Sequence, residues 1–207
     1  MKFSETGFRC LYKRFSYFPW CDTIRKVVAD PELIEDADGV LVYGYIDVEA
    51  GMSFEVLCCA KIKNEGEFSF FHKFEETRIV LRAGSVRDEE FVLVADGDDE
   101  SICEYFSDAL DGMKFFEVDD VVEQTRYFAF LDEFRHELYP DDVLVHICKD
   151  DMKPEGCWAR IKGIDENCFV GQLLNEPDQE LGYHMGDELR FSIYHLDDEQ
   201  SFLVSVE

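Results

Sequence analysis

The last fifty residues constrain the fold of this chain more than any other stretch. Residues 155–207 read EGCWARIKGIDENCFVGQLLNEPDQELGYHMGDELRFSIYHLDDEQSFLVSVE. They break into four short strand-like runs, 157–164, 168–174, 188–194 and 202–206, separated by turn formers. In the first run Trp158, Arg160 and Lys162 alternate with Cys157, Ala159 and Ile161. That is the period of a strand with one buried and one wetted face. Glu166 and Asn167 make a tight turn, and 143–148 is a further strand just upstream. Strands this short and this close in sequence hide their apolar faces by packing into one small antiparallel, barrel-like sheet.

The preceding residues read as α+β. Pro19 ends an aromatic, strand-like run over 8–18, and Asp22 caps a short helix carrying Ile24, Val27 and Val28. Runs 40–48 and 53–62 form an antiparallel hairpin, followed by a strand over 68–74 and a buried strand over 90–95. A helix presents Ile102, Tyr105, Phe106, Ala109 and Leu110 on one face. A longer helix is expected over 120–138, closed by Tyr139-Pro140. The fold class is therefore α+β: a mixed or antiparallel sheet with two or three helices over 1–139, then a small antiparallel β-barrel-like domain over 140–207.

Charge is the second constraint. The 207 residues carry a formal net charge of -27, yet 46% are hydrophobic and 14% aromatic, enough for a packed core. Such a chain repels nucleic acid and anionic membranes and attracts cationic partners. The exception is the N-terminal segment, where Lys2, Arg9, Lys13, Arg14, Arg25 and Lys26 outnumber Glu5 and Asp22. Its aromatics Phe8, Tyr12, Phe15, Tyr17, Phe18 and Trp20 are expected in the core, with the bases paired to acids elsewhere. No run has the length of a membrane span and no secretory apolar stretch follows Met1, so the expected location is the cytoplasm. The eight cysteines include no CxxC pair and read as reduced structural thiols.

Motifs for chemistry are sparse. Asp96, Asp98 and Glu100 imitate the start of a calcium loop, but Ser101 and Ser107 stand where that loop needs Gly and Glu. The acids there are read as a turn that favours the positive end of the next helix. His146, Cys148, Cys157 and Cys168 lack zinc-knuckle spacing. There is no G-x-S-x-G elbow and no P-loop. No catalytic, cofactor-binding or metal residue is assigned, and most kinds of enzyme are disfavoured. The candidate binding residues are the acids Asp96, Asp98, Asp99 and Glu100, and Asp197, Asp198 and Glu199.

Trp158, Arg160 and Ile161, then Gly171, Leu173, Asn175 and Pro177, then Gly186-Asp187 before 188–191, follow a W-x-R-[VI], G-x-L-x-N-x-P and G-D order. In this order residues 158–191 resemble the bacterial YegJ-like domain of unknown function. The resemblance implies an accessory or immunity-type role in bacterial toxin neighbourhoods and transfers no site. Asn175, Pro177, Gly186 and Asp187 are each explained as turn formers. The expected function is that of a non-enzymatic acidic binding protein, of immunity or accessory type, masking a basic partner protein. The alternatives are a small-ligand or peptide module with an apolar patch around Phe15, Phe18 and Trp20, and an enzyme with a carboxylate or cysteine site between the two domains.

Overall fold

A computed structural model describes residues 1–29, 36–63, 67–74, 77–196 and 200–206. The chain forms two compact units, Met1–Glu117 and Val118–Glu207.

The first unit is built on a sheet in the order β4-β3-β2-β1-β6, with β5 paired to β3. Its strands are β1 (Arg14–Pro19), β2 (Gly39–Asp47), β3 (Gly51–Ile62), β4 (Phe68–Lys73), β5 (Val80–Arg82) and β6 (Val92–Asp96). The expected hairpin is β2–β3, with Asp47 facing Gly51 across its turn. β3 is long enough to serve two partners on one edge, β5 along Ser53–Glu55 and β4 along Cys58–Ile62. Residues 51–60 are buried without interruption, as in a central strand covered on both faces. A register shift at Leu41/Val42 lets β3 present both Leu57 and Cys58 to the same apolar cluster, with Phe15, Tyr17, Leu41 and Phe106.

Side chains of β1 alternate between the two faces. Phe15 and Tyr17 enter that cluster, whereas Phe18 packs on the rings of Phe54 and Phe91. The N-terminal aromatics thus lie largely in the core, as expected. Of the nearby bases, Arg14 pairs with Asp96, and Arg9, Lys13 and Arg25 lie over the rings of Phe8, Tyr12 and Trp20. Strand β6 is an edge strand with Val92 exposed, a departure from the buried strand that its apolar sequence suggests.

The helices of this unit are short: α1 (Phe3–Thr6), α2 (Asp22–Val28), α3 (Glu100–Tyr105) and α4 (Ser107–Met113). Cys21, not Asp22, is the N-cap of α2. Along α3 and α4, Ile102, Phe106, Ala109 and Leu110 pack on the sheet as their spacing requires, while Tyr105 is half exposed.

The second unit is a closed barrel of β7 (Asp142–Ile147), β8 (Glu155–Asp165), β9 (Cys168–Leu173), β10 (Glu188–His195) and β11 (Ser201–Val206). All the strand runs read from the sequence are present. Consecutive strands pair antiparallel, so the fifth runs in the same direction as the first, and β11 closes on β7 in parallel. Val143, Val145 and Ile147, then Cys157, Ala159 and Ile161, alternate into the core with Leu173, Leu189, Phe191 and Leu203. Gly171 is required there, because a Cβ would meet the Phe191 ring at 2.9 Å and the Arg160 carbonyl at 3.0 Å.

The helix expected over 120–138 is not continuous. An α-helix, α5 (Asp120–Arg126), is followed by a 3-10 segment, Ala129–Phe134. Phe128, Leu131 and Phe134 are spaced by three, the 3-10 period, and this turns all three onto the barrel core. The segment therefore belongs with the barrel. The unit begins at Val118, upstream of the change of character read near residue 140.

The loop 174–187 is tied down residue by residue. The Trp158 amide donates to Asn175 Oδ1 (2.8 Å), and the His184 amide donates to Asp187 (2.8 Å). Pro177 is buried, and Gly186 has a positive φ of 95°. Glu176 accepts from the Met185 amide and from His184 Nδ1, each at 2.7 Å. The bond to Glu176 raises the His184 pKa above its ordinary 6.5, and the same bond holds Glu176 below its ordinary 4.5. A raised histidine contributes fully below its unfolded pKa and loses that contribution as pH rises through the folded value. A lowered carboxylate loses its contribution as pH falls. The loop should therefore be tightest between these limits. NMR titration is expected to place the His184 midpoint above 6.5 in the wild type and to bring it down in Glu176→Gln. An unchanged midpoint in the variant would sink this account.

Candidate functional site

Asp96, Asp98, Asp99 and Glu100 lie in the exposed turn between β6 and α3. Two of them have local bonds. Asp96 bonds Arg14 at 3.0 Å. Asp99 caps α3, accepting from the Ser101 and Ile102 amides and from the Ser101 hydroxyl (2.6 Å). Those bonds, the hydroxyl first, hold the Asp99 carboxyl below its ordinary pKa. Asp98 and Glu100 are exposed, with Glu100 in the first turn of α3. Asp197, Asp198 and Glu199 lie outside the described residues. Among the described residues no three His, Cys, Asp or Glu side chains are grouped to hold a metal ion. His146 packs edge-on against Phe202, and Cys157 is in the barrel core, where burial raises its thiol pKa.

The apolar patch that the alternative reading, a small-ligand or peptide module, places around Phe15, Phe18 and Trp20 does not form. Phe15 and Phe18 are fully buried, and Trp20 donates its indole N–H to the Ala37 carbonyl at 2.8 Å. Strand alternation places both rings in packed layers, which the aromatic crowding of the sequence conceals.

Three acids are buried among the described residues: Glu55, Asp141 and Asp142. Each accepts two bonds from one arginine. Arg78 grips Glu55 at 2.9 and 2.8 Å, Arg126 grips Asp141 at 2.9 and 2.6 Å, and Arg160 grips Asp142 at 2.7 and 3.1 Å. Burial of a carboxylate without such a partner is costly, and the bidentate fork meets that cost. The remaining described acids are at least partly open to solvent. Among the described residues the acidic excess is therefore at the surface.

Glu55 also opens onto a cavity of about 220 Å³ within the first unit. Its walls are β3, the end of β4 and the faces of α3 and α4, with Leu57, Phe106 and Met113 as the apolar floor. Lys73, Arg78 and Asp108 add charge at its margin. Arg78 is fixed on three sides: by Glu55, by the Tyr45 hydroxyl at 3.4 Å, and by the Phe116 ring at 5.5 Å. Burial pushes the Tyr45 phenol up to about 12, with the Glu55 charge adding to it. The bond to Glu55 raises the Arg78 pKa further. This group was not singled out from the sequence. The signal for it is a lone carboxylate in SFEVLCCA, an otherwise apolar central strand.

These features define a two-unit α+β protein with many exposed acids among its described residues and a side-chain-sized cavity in its first unit. No family model, no curated protein and no solved structure matches the chain. Among the described residues no helix is long and apolar enough to cross a membrane.

Proposed function

We propose that this is a non-enzymatic binding protein whose acidic surface engages and masks a basic partner protein, in the manner of an immunity or accessory protein. The observation that carries the reading is where the charge sits. A formal charge of -27 resides on 207 residues, and the buried acids among the described residues are each held by an arginine. The other described acids are at least partly open to solvent. Such a field steers a cationic partner and speeds encounter, and close charge pairs then set the dissociation rate. The loop at Asp98 and Glu100 supplies two exposed acids and is the first contact region to test.

The test is a pull-down from the native cell at about 0.05 M and about 1 M salt, where the screening length falls several-fold. It is followed by association kinetics with the purified partner. The expected outcome is a basic protein retained at low salt and lost at high salt. Its association should slow several-fold in the double variant Asp98→Lys, Glu100→Lys. Recovery of no basic protein at low salt, or of a partner held equally at both salts, would overturn the proposal.

A further inference from the structure

At the margin of the cavity of the first unit a cation already lies on two aromatic rings, and it is the protein's own. The Lys73 ammonium lies 3.5 Å from the centroid of the Tyr105 ring and 5.3 Å from that of Phe106, and donates to the Tyr105 carbonyl at 2.5 Å. The two rings meet edge to face at 4.8 Å, and Phe70 stands 5.9 Å from Phe106 and 6.5 Å from Tyr105. Rings set at right angles around an ammonium are the geometry that recognises alkylammonium groups, because each face offers its negative quadrupole. Glu55 and Asp108 line the same cavity. With Lys73 in place about 220 Å³ stays open beside these rings, below the usual range of small-molecule sites, about 300–1,000 Å³, and of a size for a single side chain.

We propose that this cavity is a receptor for one lysine-like side chain of a basic partner, and that Lys73 is an internal stand-in which the incoming cation displaces. The inference rests on the acidic-binding reading above and gives that reading an anchor point. Occupancy by Lys73 lowers the apparent affinity for any outside cation by the fraction of time the site is filled. Removing the ammonium while keeping the apolar stem should therefore strengthen cation binding. Charge selects the occupant: once Lys73 is set aside, the described lining keeps the carboxylates of Glu55 and Asp108 and the cation Arg78, and Arg78 is engaged by Glu55. An anionic ligand would meet both those carboxylates and the field of the whole surface.

The test uses the full chain and n-butylammonium as the probe, with n-butanol and butyrate as neutral and anionic controls, read by chemical-shift changes at Tyr105 and Phe106. Lys73→Met is expected to bind n-butylammonium at least ten-fold more tightly than the wild type, and more tightly than either control. Tyr105→Leu, at a half-exposed position that tolerates the change, is expected to abolish the preference for the cation over n-butanol. Equal affinity in wild type and Lys73→Met, or tighter binding of butyrate than of n-butylammonium, overturns the proposal. An unchanged cation preference in Tyr105→Leu overturns it as well, even if Lys73→Met fails to fold. Failure here is distinct from failure of the functional reading. A salt-sensitive basic partner recovered alongside a cavity blind to n-butylammonium removes the anchor and leaves the masking role. A responsive cavity with no basic partner does the reverse.

Discussion

Asp141→Ala is expected to destabilise the barrel unit by about 3–5 kcal/mol, the usual cost of stripping one partner from a buried ion pair. Arg126 is 1% exposed at its side chain, and its Nε and Nη2 are both directed at Asp141. Truncating the carboxylate leaves a buried guanidinium without its bidentate partner, with Glu123 at 3.1 Å as a remaining anionic neighbour. For a unit of this size each kcal/mol shifts the midpoint by roughly 4–8 °C, so a fall of about 12 °C or more is expected in thermal unfolding. The double change Arg126→Met, Asp141→Leu should recover most of the loss, since well-packed apolar replacements of a buried pair are often neutral or better. A loss below about 1 kcal/mol in the single variant would show that Arg126 finds solvent or another acceptor, and would break the argument that buried acids here depend on their arginines. The parallel change at the half-exposed pair, Glu55→Gln, should cost less, because Arg78 is 52% exposed and water replaces the lost acceptor.

These pairs also show which parts of the molecule were legible in its sequence. The barrel strands were, because period-two alternation such as that of 157–161 is local and survives into the burial pattern of β8. Their closure was not, since the parallel pairing of Leu203 with Val145 depends on chain direction summed over five strands. Phe128, Leu131 and Phe134 illustrate a different failure. Over so short a stretch a spacing of three is shared by the α and 3-10 periods, and packing on the barrel decides between them. Val92 looked buried because an apolar run does not say whether a strand is central or at the edge. At the candidate site, the cap at Asp99 could be read from the acids before an apolar helix face. The Glu55–Arg78 grip could not, because its two halves are 23 residues apart. Nor could the seat of Lys73 on Tyr105, which depends on how α3 lies against the sheet.

Phe18→Ala tests the reading of the N-terminal aromatics and is expected to cost about 3–5 kcal/mol. The side chain is fully buried, with the Phe54 and Phe91 rings at 5.4 and 5.7 Å between centroids. Its removal loses both ring contacts and leaves a cavity between residues fixed by β1 and β3, whose backbones have little room to collapse. Trp20→Ala is the control. Trp20 is partly exposed, one hydrogen bond to Ala37 and the Arg25 cation over its ring are its main ties, and about 1–2 kcal/mol is expected. Urea unfolding of both variants separates the two accounts of this segment. If Phe18 belonged to a docking patch, its truncation would leave stability nearly unchanged and would act on binding alone. If it is core, stability falls and the midpoint moves while the urea dependence stays the same. The second outcome is required by the alternation of β1, which sends Phe18 to the face opposite Phe15 and Tyr17. With Phe15 and Phe18 both in the core, the aromatic N-terminal segment has no apolar patch built on those two rings.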